Sequence, residues 1–67
     1  MNVEMIGSWA GLVWAALDVA KTLEIKQLRT VTKLKEKEVY VALGWLARED
    51  KVTITVEGKE TLITLID

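Results

Sequence analysis

The sequence predicts a mostly helical α+β fold in which three helices precede a C-terminal β-hairpin. Within residues 35–51, four apolar side chains recur at the i, i+3, i+4 and i+7 spacing of one helix face: Val39, Ala42, Leu43 and Leu46. The next residues, 52–56, read VTITV, and their apolar side chains recur at every second position, as in a strand. We expect Gly58 and Lys59 to form a two-residue turn, since a Gly in its first position is typical of a type II′ hairpin; a three-residue loop is the alternative.

A helix that leads directly into a β-hairpin forms the second half of a winged helix-turn-helix, with the hairpin as the wing. We therefore expect two earlier helices, over about 5–21 and 25–32, with a short strand at Thr22 and Leu23 between them. The third helix is expected over about 36–49. The chain order is then helix, strand, helix, helix, strand, strand, and residues 1–67 form one winged helix-turn-helix domain.

Helical spacing also predicts which side chains of the first two helices face the core. In the first helix these are Trp9, Val13, Ala16, Leu17 and Ala20, and in the second they are Ile25, Leu28 and Val31. Leu34 is expected to fill the gap before the third helix. Glu24 and Lys35 stand at the N-caps, where Ser, Thr or Asp is preferred, and Asp50 stands where a Gly would usually end a helix.

Alternation along the hairpin predicts its register. On the inner side, Val52, Ile54 and Val56 face Leu65, Ile63 and Thr61. Leu62 and Ile66 are left on the outer face of the last strand, which we expect at an edge of the sheet.

These residues resemble a family of small bacterial and archaeal winged helix-turn-helix domains of unknown function. The similarity rests on Ala10, Gly11 and Trp14 in the first helix, and on the run ALGWLARE over 42–49, with Lys51, in the third. It covers nearly the whole chain. The resemblance implies the winged-helix fold and a DNA-binding ancestry, and it implies no established activity.

The composition argues against an enzyme. The chain has no His and no Cys, so the commonest general base and thiolate ligands are missing. Its closest carboxylate pairs, Glu36 with Glu38 and Glu49 with Asp50, have no neighbouring nucleophile or Gly-rich phosphate loop. We expect no catalytic site, no metal or other cofactor, and no small-molecule substrate.

The amount of apolar sequence predicts self-association. Hydrophobic residues make up 51% of the chain, and the first helix is apolar over most of its circumference. Its apolar stretch, 5–20, is shorter than the roughly 20 residues of a membrane span. It is preceded by Glu4, whereas a signal peptide has a positively charged residue there. We expect a cytoplasmic homodimer that does not enter a membrane; the alternative is that the third helix and a C-terminal strand cover the first helix within one chain.

The distribution of charge favours double-stranded DNA as a partner. The net charge is −1, yet residues 26–37 carry five basic residues and a single carboxylate, Glu36. In a helix-turn-helix, the second helix and the turn contact phosphates while the third enters the major groove. The candidate contacts are Lys26, Arg29, Thr30, Thr32, Lys33, Lys35 and Lys37, with Lys59 at the wing tip. Glu36 and Glu38, at the leading end of the third helix, would repel phosphates.

The alternative function is a protein-interaction module that has kept the fold and lost DNA binding. Val41 and Trp45 lie toward the side of the third helix that faces away from its core stripe, and aromatic residues are enriched at protein interfaces. Trp45 could instead fold back onto the wing or the first helix. The candidate interface residues are Trp14, Val41, Trp45, Leu62 and Ile66.

Overall fold

The computed structural model describes residues 1–66 and shows a winged helix-turn-helix. Its elements are, in chain order, α1 Val3–Ala20, β1 Thr22–Glu24, α2 Ile25–Thr32, α3 Glu36–Arg48, β2 Val52–Glu57 and β3 Glu60–Leu65. The predicted element order and the bounds of α2 are confirmed. The predicted domain, 1–67, includes residue 67, which lies outside the described residues.

The ends of the helices follow from their caps. α1 begins earlier than predicted because the Asn2 side chain accepts a hydrogen bond from the Met5 backbone N–H at 2.9 Å. Glu24 and Lys35 are the N-caps of α2 and α3, as expected. After α3, Asp50 adopts a left-handed backbone conformation with φ 56°, at the place where the sequence lacks the usual Gly.

The three strands form one antiparallel sheet in the order β1-β3-β2. The predicted hairpin register is confirmed from Val52 opposite Leu65 to Glu57 opposite Glu60. Gly58 has a φ of 61° and Lys59 has no positive φ, as a type II′ turn requires. The prediction that the last strand lies at an edge is wrong, because β1 pairs along the other side of β3 and makes it the central strand.

The core is one cluster to which all three helices and all three strands contribute. Its members are Ala10, Val13, Leu17, Leu23, Ile25, Leu28, Val39, Ala42, Leu43, Leu46, Val52 and Ile63. Leu34 is half-buried and packs against this cluster, as predicted.

Two predicted core positions are wrong. Val31 is 59% exposed, because the inward face of α2 continues from Leu28 to Thr32 and leaves Val31 to one side. Ala20 lies two turns after buried Val13 on the same face of α1, but it is exposed because it is the last residue of the helix.

The wing extends beyond the helices. Ile54 and Val56 share the inner side of the hairpin with Ile63, as the register predicts, yet they are 46% and 70% exposed. The prediction that both face the sheet's inner side is confirmed, but only the first residue of β2, Val52, is buried.

α1 is unusually apolar for a helix of a small domain. It has 18 residues with a mean hydropathy of 1.3, so by length and composition it could cross a membrane. Of those residues 22% are buried, and Ala10, Val13 and Leu17 belong to the shared core. The core of this domain therefore depends on α1 packing against the other elements.

Candidate nucleic-acid interface

One face of α2 gathers most of the predicted basic residues. Its inner face is formed by Ile25 and Leu28, so the residues at i, i+3, i+4 and i+7 from position 26 point outward together. These are Lys26, Arg29, Thr30 and Lys33; all are exposed, and with Leu34 they line a depression of about 380 Å³. None of the lining residues is a carboxylate. We call this surface the basic depression.

The basic surface continues through the turn into α3. Lys33, at the C-cap of α2, is left-handed with φ 63°, a conformation that Gly or Asn adopts more easily. Lys35 and Lys37 follow and are both exposed. The Lys35 ammonium group has no lone pair to cap α3, so the cap is one-sided: the Lys35 backbone N–H donates to Glu38 Oε1 at 2.8 Å.

The two threonines of α2 are placed differently. The Thr30 hydroxyl donates to the Lys26 carbonyl at 3.0 Å, and its side chain lines the basic depression. The Thr32 hydroxyl donates to the Leu28 carbonyl at 2.5 Å and accepts from the Leu34 N–H at 3.3 Å. Thr32 is half-buried and lines a separate apolar groove between α1 and α2, so it lies apart from the basic residues.

Lys59 is brought to the same side of the domain as α2. A second groove of about 520 Å³ lies between α2, the start of α3 and the wing tip. Its charged lining residues are Lys26, Arg29, Lys59, Glu24, Glu36 and Glu60. Arg29 Nη1 lies 3.4 Å from Glu36 Oε2 within it. We call it the mixed-charge groove; its carboxylates weaken the attraction for phosphate there.

Sequence reasoning missed Tyr40, which is 49% exposed and lines the mixed-charge groove. It lies one helical turn after Glu36 on the outer side of α3, and this i, i+4 spacing could have predicted that the two side chains share a surface. Gly44 lies farther along the outer side, and a Cβ built there would meet no atom within 4 Å. The outer side of α3 is therefore open, with a phenol near its start.

The candidate interface residues do not form one surface. Trp45 is half-buried and packs against the core, so it folds back onto its own domain. Val41, one turn earlier on α3, is also half-buried, whereas Trp14 on α1 is 41% exposed. By alternation, Leu62 in β3 and Ile66 directly after it lie on the outer side; Leu62 is half-buried and Ile66 is 43% exposed.

The charged groups of the described residues all lie at the surface. Every buried residue among them is apolar, so no carboxylate or amine is held in the core. Within 1–66, no three Asp or Glu side chains are placed to hold a metal ion together. The arrangement can attract and orient an anion such as the phosphate backbone of DNA.

The fold and the exposed basic helix-turn-helix define a winged helix-turn-helix domain, a class that commonly binds DNA. The chain matches the winged helix-turn-helix domain family DUF2582 over residues 1–65, and it belongs to that family. It is 35% identical to the uncharacterized protein MJ1608 of Methanocaldococcus jannaschii, across 90% of this chain and 89% of that protein.

A solved structure shares the fold closely. It is the solution NMR structure of protein BT2368 from Bacteroides thetaiotaomicron, which is 35% identical to this chain. The two superpose with a TM-score of 0.88, over 97% of this chain and 79% of the other.

Proposed function

We propose that this protein is a non-enzymatic, DNA-associated module of the transcription-regulator type. The observation that carries the proposal is the basic depression, where Lys26, Arg29 and Lys33 stand on one face of α2. In a helix-turn-helix this is the helix that crosses the phosphate backbone. Three cations held at helical spacing suit successive phosphates, which are the sequence-independent part of a DNA site.

The remaining proposed contacts follow if α2 crosses the phosphate backbone in this way. Lys35 and Lys37 stand at the start of α3, the end that enters the major groove, and Lys59 stands at the wing tip. The Thr30 hydroxyl donates its hydrogen bond to the Lys26 backbone carbonyl, and its oxygen can still accept a hydrogen bond from water at the phosphate surface. Thr32 is left out of the proposed contacts because its hydroxyl serves the turn and lines the apolar groove.

We propose that the module acts as a homodimer in the cytoplasm. Large apolar side chains remain at the surface, among them Ile54, 46% exposed, and Val56, 70% exposed. A dimer would cover part of this surface and would present two basic depressions to one duplex. The cytoplasm is the compartment that holds DNA in bacteria and archaea, the sources of the relatives described above.

Fluorescence anisotropy with a random duplex, over a series of salt concentrations, tests DNA binding. With about three to five of the six cations proposed above on phosphates at once, the slope of log K against log salt should be about −3 to −4.5 per subunit. Lys26→Ala and Lys37→Ala should each make the slope shallower by about 1. Arg48→Ala is the matched control, because it removes the same charge at the far end of α3.

The alternative is a protein-interaction module, and the mixed-charge groove favours it. Glu24, Glu36 and Glu60 lie where a duplex would approach the wing, and Trp14 offers an exposed aromatic ring. Absence of duplex binding at about 50 mM salt, by protein shown to be folded, would overturn the DNA proposal in favour of this one.

A further inference from the structure

The outer edge of β2 offers unpaired backbone groups. In the sheet order β1-β3-β2, β2 is an edge strand, and no strand of the described chain pairs with its outer side. The Ile66 N–H donates to the Lys51 carbonyl at 2.8 Å, which fixes the phase of the ladder. Because antiparallel ladders alternate, the N–H and C=O groups of Val52, Ile54 and Val56 point away from β3.

This edge lacks the usual protection against pairing. Natural edge strands carry Pro, bulges or inward-facing charges that prevent contact with another strand. β2 reads VTITVE, has no Pro, and pairs with β3 without a bulge. Its inward-facing side chains are all apolar, and its single charge, Glu57, stands at the wing tip. Such an edge favours pairing with another extended strand.

We propose that β2 pairs antiparallel with β2 of a second copy of this chain. The pairing joins two three-stranded sheets into one, and it rests on the homodimer proposed above, for which it names the interface. The two-fold axis passes beside Ile54, so Ile54 lies opposite the partner's Ile54 and Val52 opposite the partner's Val56. Each of these pairs exchanges both backbone hydrogen bonds, because all the residues involved point their N–H and C=O groups to the edge.

Charge complementarity selects this register. Lys51 lies opposite the partner's Glu57, and symmetry repeats the pair on the other side of the axis. Sliding the partner by two residues in one direction would set Lys51 opposite the partner's Lys59, which lies in the turn. Sliding it the other way would set Glu57 opposite the partner's Glu49, at the C-cap of α3. Both alternatives shorten the ladder and remove the two pairs of Lys51 with Glu57, and a slip of one residue would set the apolar side of one strand against the polar side of the other.

The shape of the edge is also self-complementary. The inner side of β2 changes from buried Val52, 5% exposed, to Val56, 70% exposed, because the helices cover only one end of the strand. In an antiparallel pair, the covered end of each copy lies beside the uncovered end of the other. Ile54 and Val56 thereby gain apolar neighbours. α2 packs against β1 and β3 rather than β2, so the basic depressions remain free in the dimer.

Sedimentation of the full chain over a range of concentrations tests this interface without DNA. The wild type should reach twice 7.5 kDa. Val56→Lys places a charge on the inward side of the edge and should give a folded monomer, since Val56 is already 70% exposed. Circular dichroism establishes that the variant is folded. Val19→Lys, on the exposed side of α1, is the matched control and should remain a dimer.

Charge reversal tests the register. Lys51→Glu and Glu57→Lys should each weaken the dimer roughly tenfold, because two attractive pairs become repulsive. The double variant should restore wild-type association, since the opposite charges face each other again. A wild type that stays monomeric at millimolar concentration would overturn the proposal. So would a dimer that survives Val56→Lys but is lost with Val19→Lys. None of these masses depends on DNA, so this proposal and DNA binding fail separately.

Discussion

Arg29 Nη1 lies 3.4 Å from Glu36 Oε2, so an ion pair joins the middle of α2 to the first residue of α3. Both side chains are about half exposed, 45% and 60%, and an exposed pair of this kind contributes about 0–1 kcal/mol to stability. The ion pair also matters for the proposed DNA binding. The pair holds one cation of the basic depression against a carboxylate, so Arg29 is only partly available to phosphate.

Glu36→Gln should strengthen DNA binding. The amide keeps the size of the side chain but releases the charge of Arg29 and removes a repulsion at the leading end of α3. One gained phosphate contact should raise the affinity roughly fivefold at about 0.1 M salt and steepen the salt slope by about 0.9. Asp18→Asn, the same change on the exposed side of α1, should leave both unchanged in the anisotropy experiment. Equal effects of the two substitutions would mean that only net charge matters.

Lys33→Gly should stabilise the fold and weaken DNA binding at once. Lys33 has φ 63°, which is unfavourable for a residue with a Cβ, so Gly should raise the free energy of unfolding by about 1 kcal/mol. The lost cation should make the salt slope shallower by about 1. Denaturant titration and anisotropy on the same preparation measure the two effects.

Asp50→Gly is the matched control for Lys33→Gly. Asp50 has φ 56° and ends α3 at the opposite end from the basic residues. The substitution should raise stability by a similar amount, about 1 kcal/mol, and leave the salt slope unchanged. If Lys33→Gly also left the slope unchanged, Lys33 would not be a phosphate contact.

The structural features that were predicted correctly from the sequence are those that depend on the local periodicity of apolar side chains. Alternation between Val52 and Leu65, with Gly58 in the turn, was sufficient for the complete register of the hairpin. The pairing of β1 with β3 was not predicted, because Thr22–Glu24 is too short to show a period and its partner lies far away in the chain. That pairing decides which strand is the edge, so the free edge of β2 could be seen only in the structure.

In the candidate site, too, some features follow from helical spacing, whereas others depend on how the elements pack together. Helical spacing was enough to bring Lys26, Arg29 and Lys33 to one side of α2. The ion pair between Arg29 and Glu36 depends on the angle between two helices, and periodicity within either helix carries no information on that angle. The use of the Thr32 hydroxyl within the turn likewise depends on backbone geometry after the helix.

Lys35→Ser should stabilise α3. The Lys35 ammonium cannot accept a hydrogen bond and adds a positive charge at the positive end of the helix dipole. A Ser hydroxyl could accept from the Glu38 N–H and complete the capping box that Glu38 already begins. The free energy of unfolding should rise by about 0.5–2 kcal/mol in a denaturant titration. Lys35→Ala removes the charge without adding an acceptor, and an equal rise with Ala would show that capping is not the cause.

Trp45→Ala and Trp14→Ala together decide whether either ring serves the fold or an interface. Trp45 is half-buried against the core, so its loss should lower the free energy of unfolding by about 2 kcal/mol, less than for a fully buried Trp. Trp14 is 41% exposed and lies outside the core cluster, so its loss should change stability by no more than about 0.5 kcal/mol. Denaturation midpoints of both variants, followed by circular dichroism, measure this difference without relying on tryptophan fluorescence. A Trp45→Ala variant with unchanged stability but altered mass in sedimentation would contradict the packing role and make Trp45 an interface residue, as the interaction-module alternative requires.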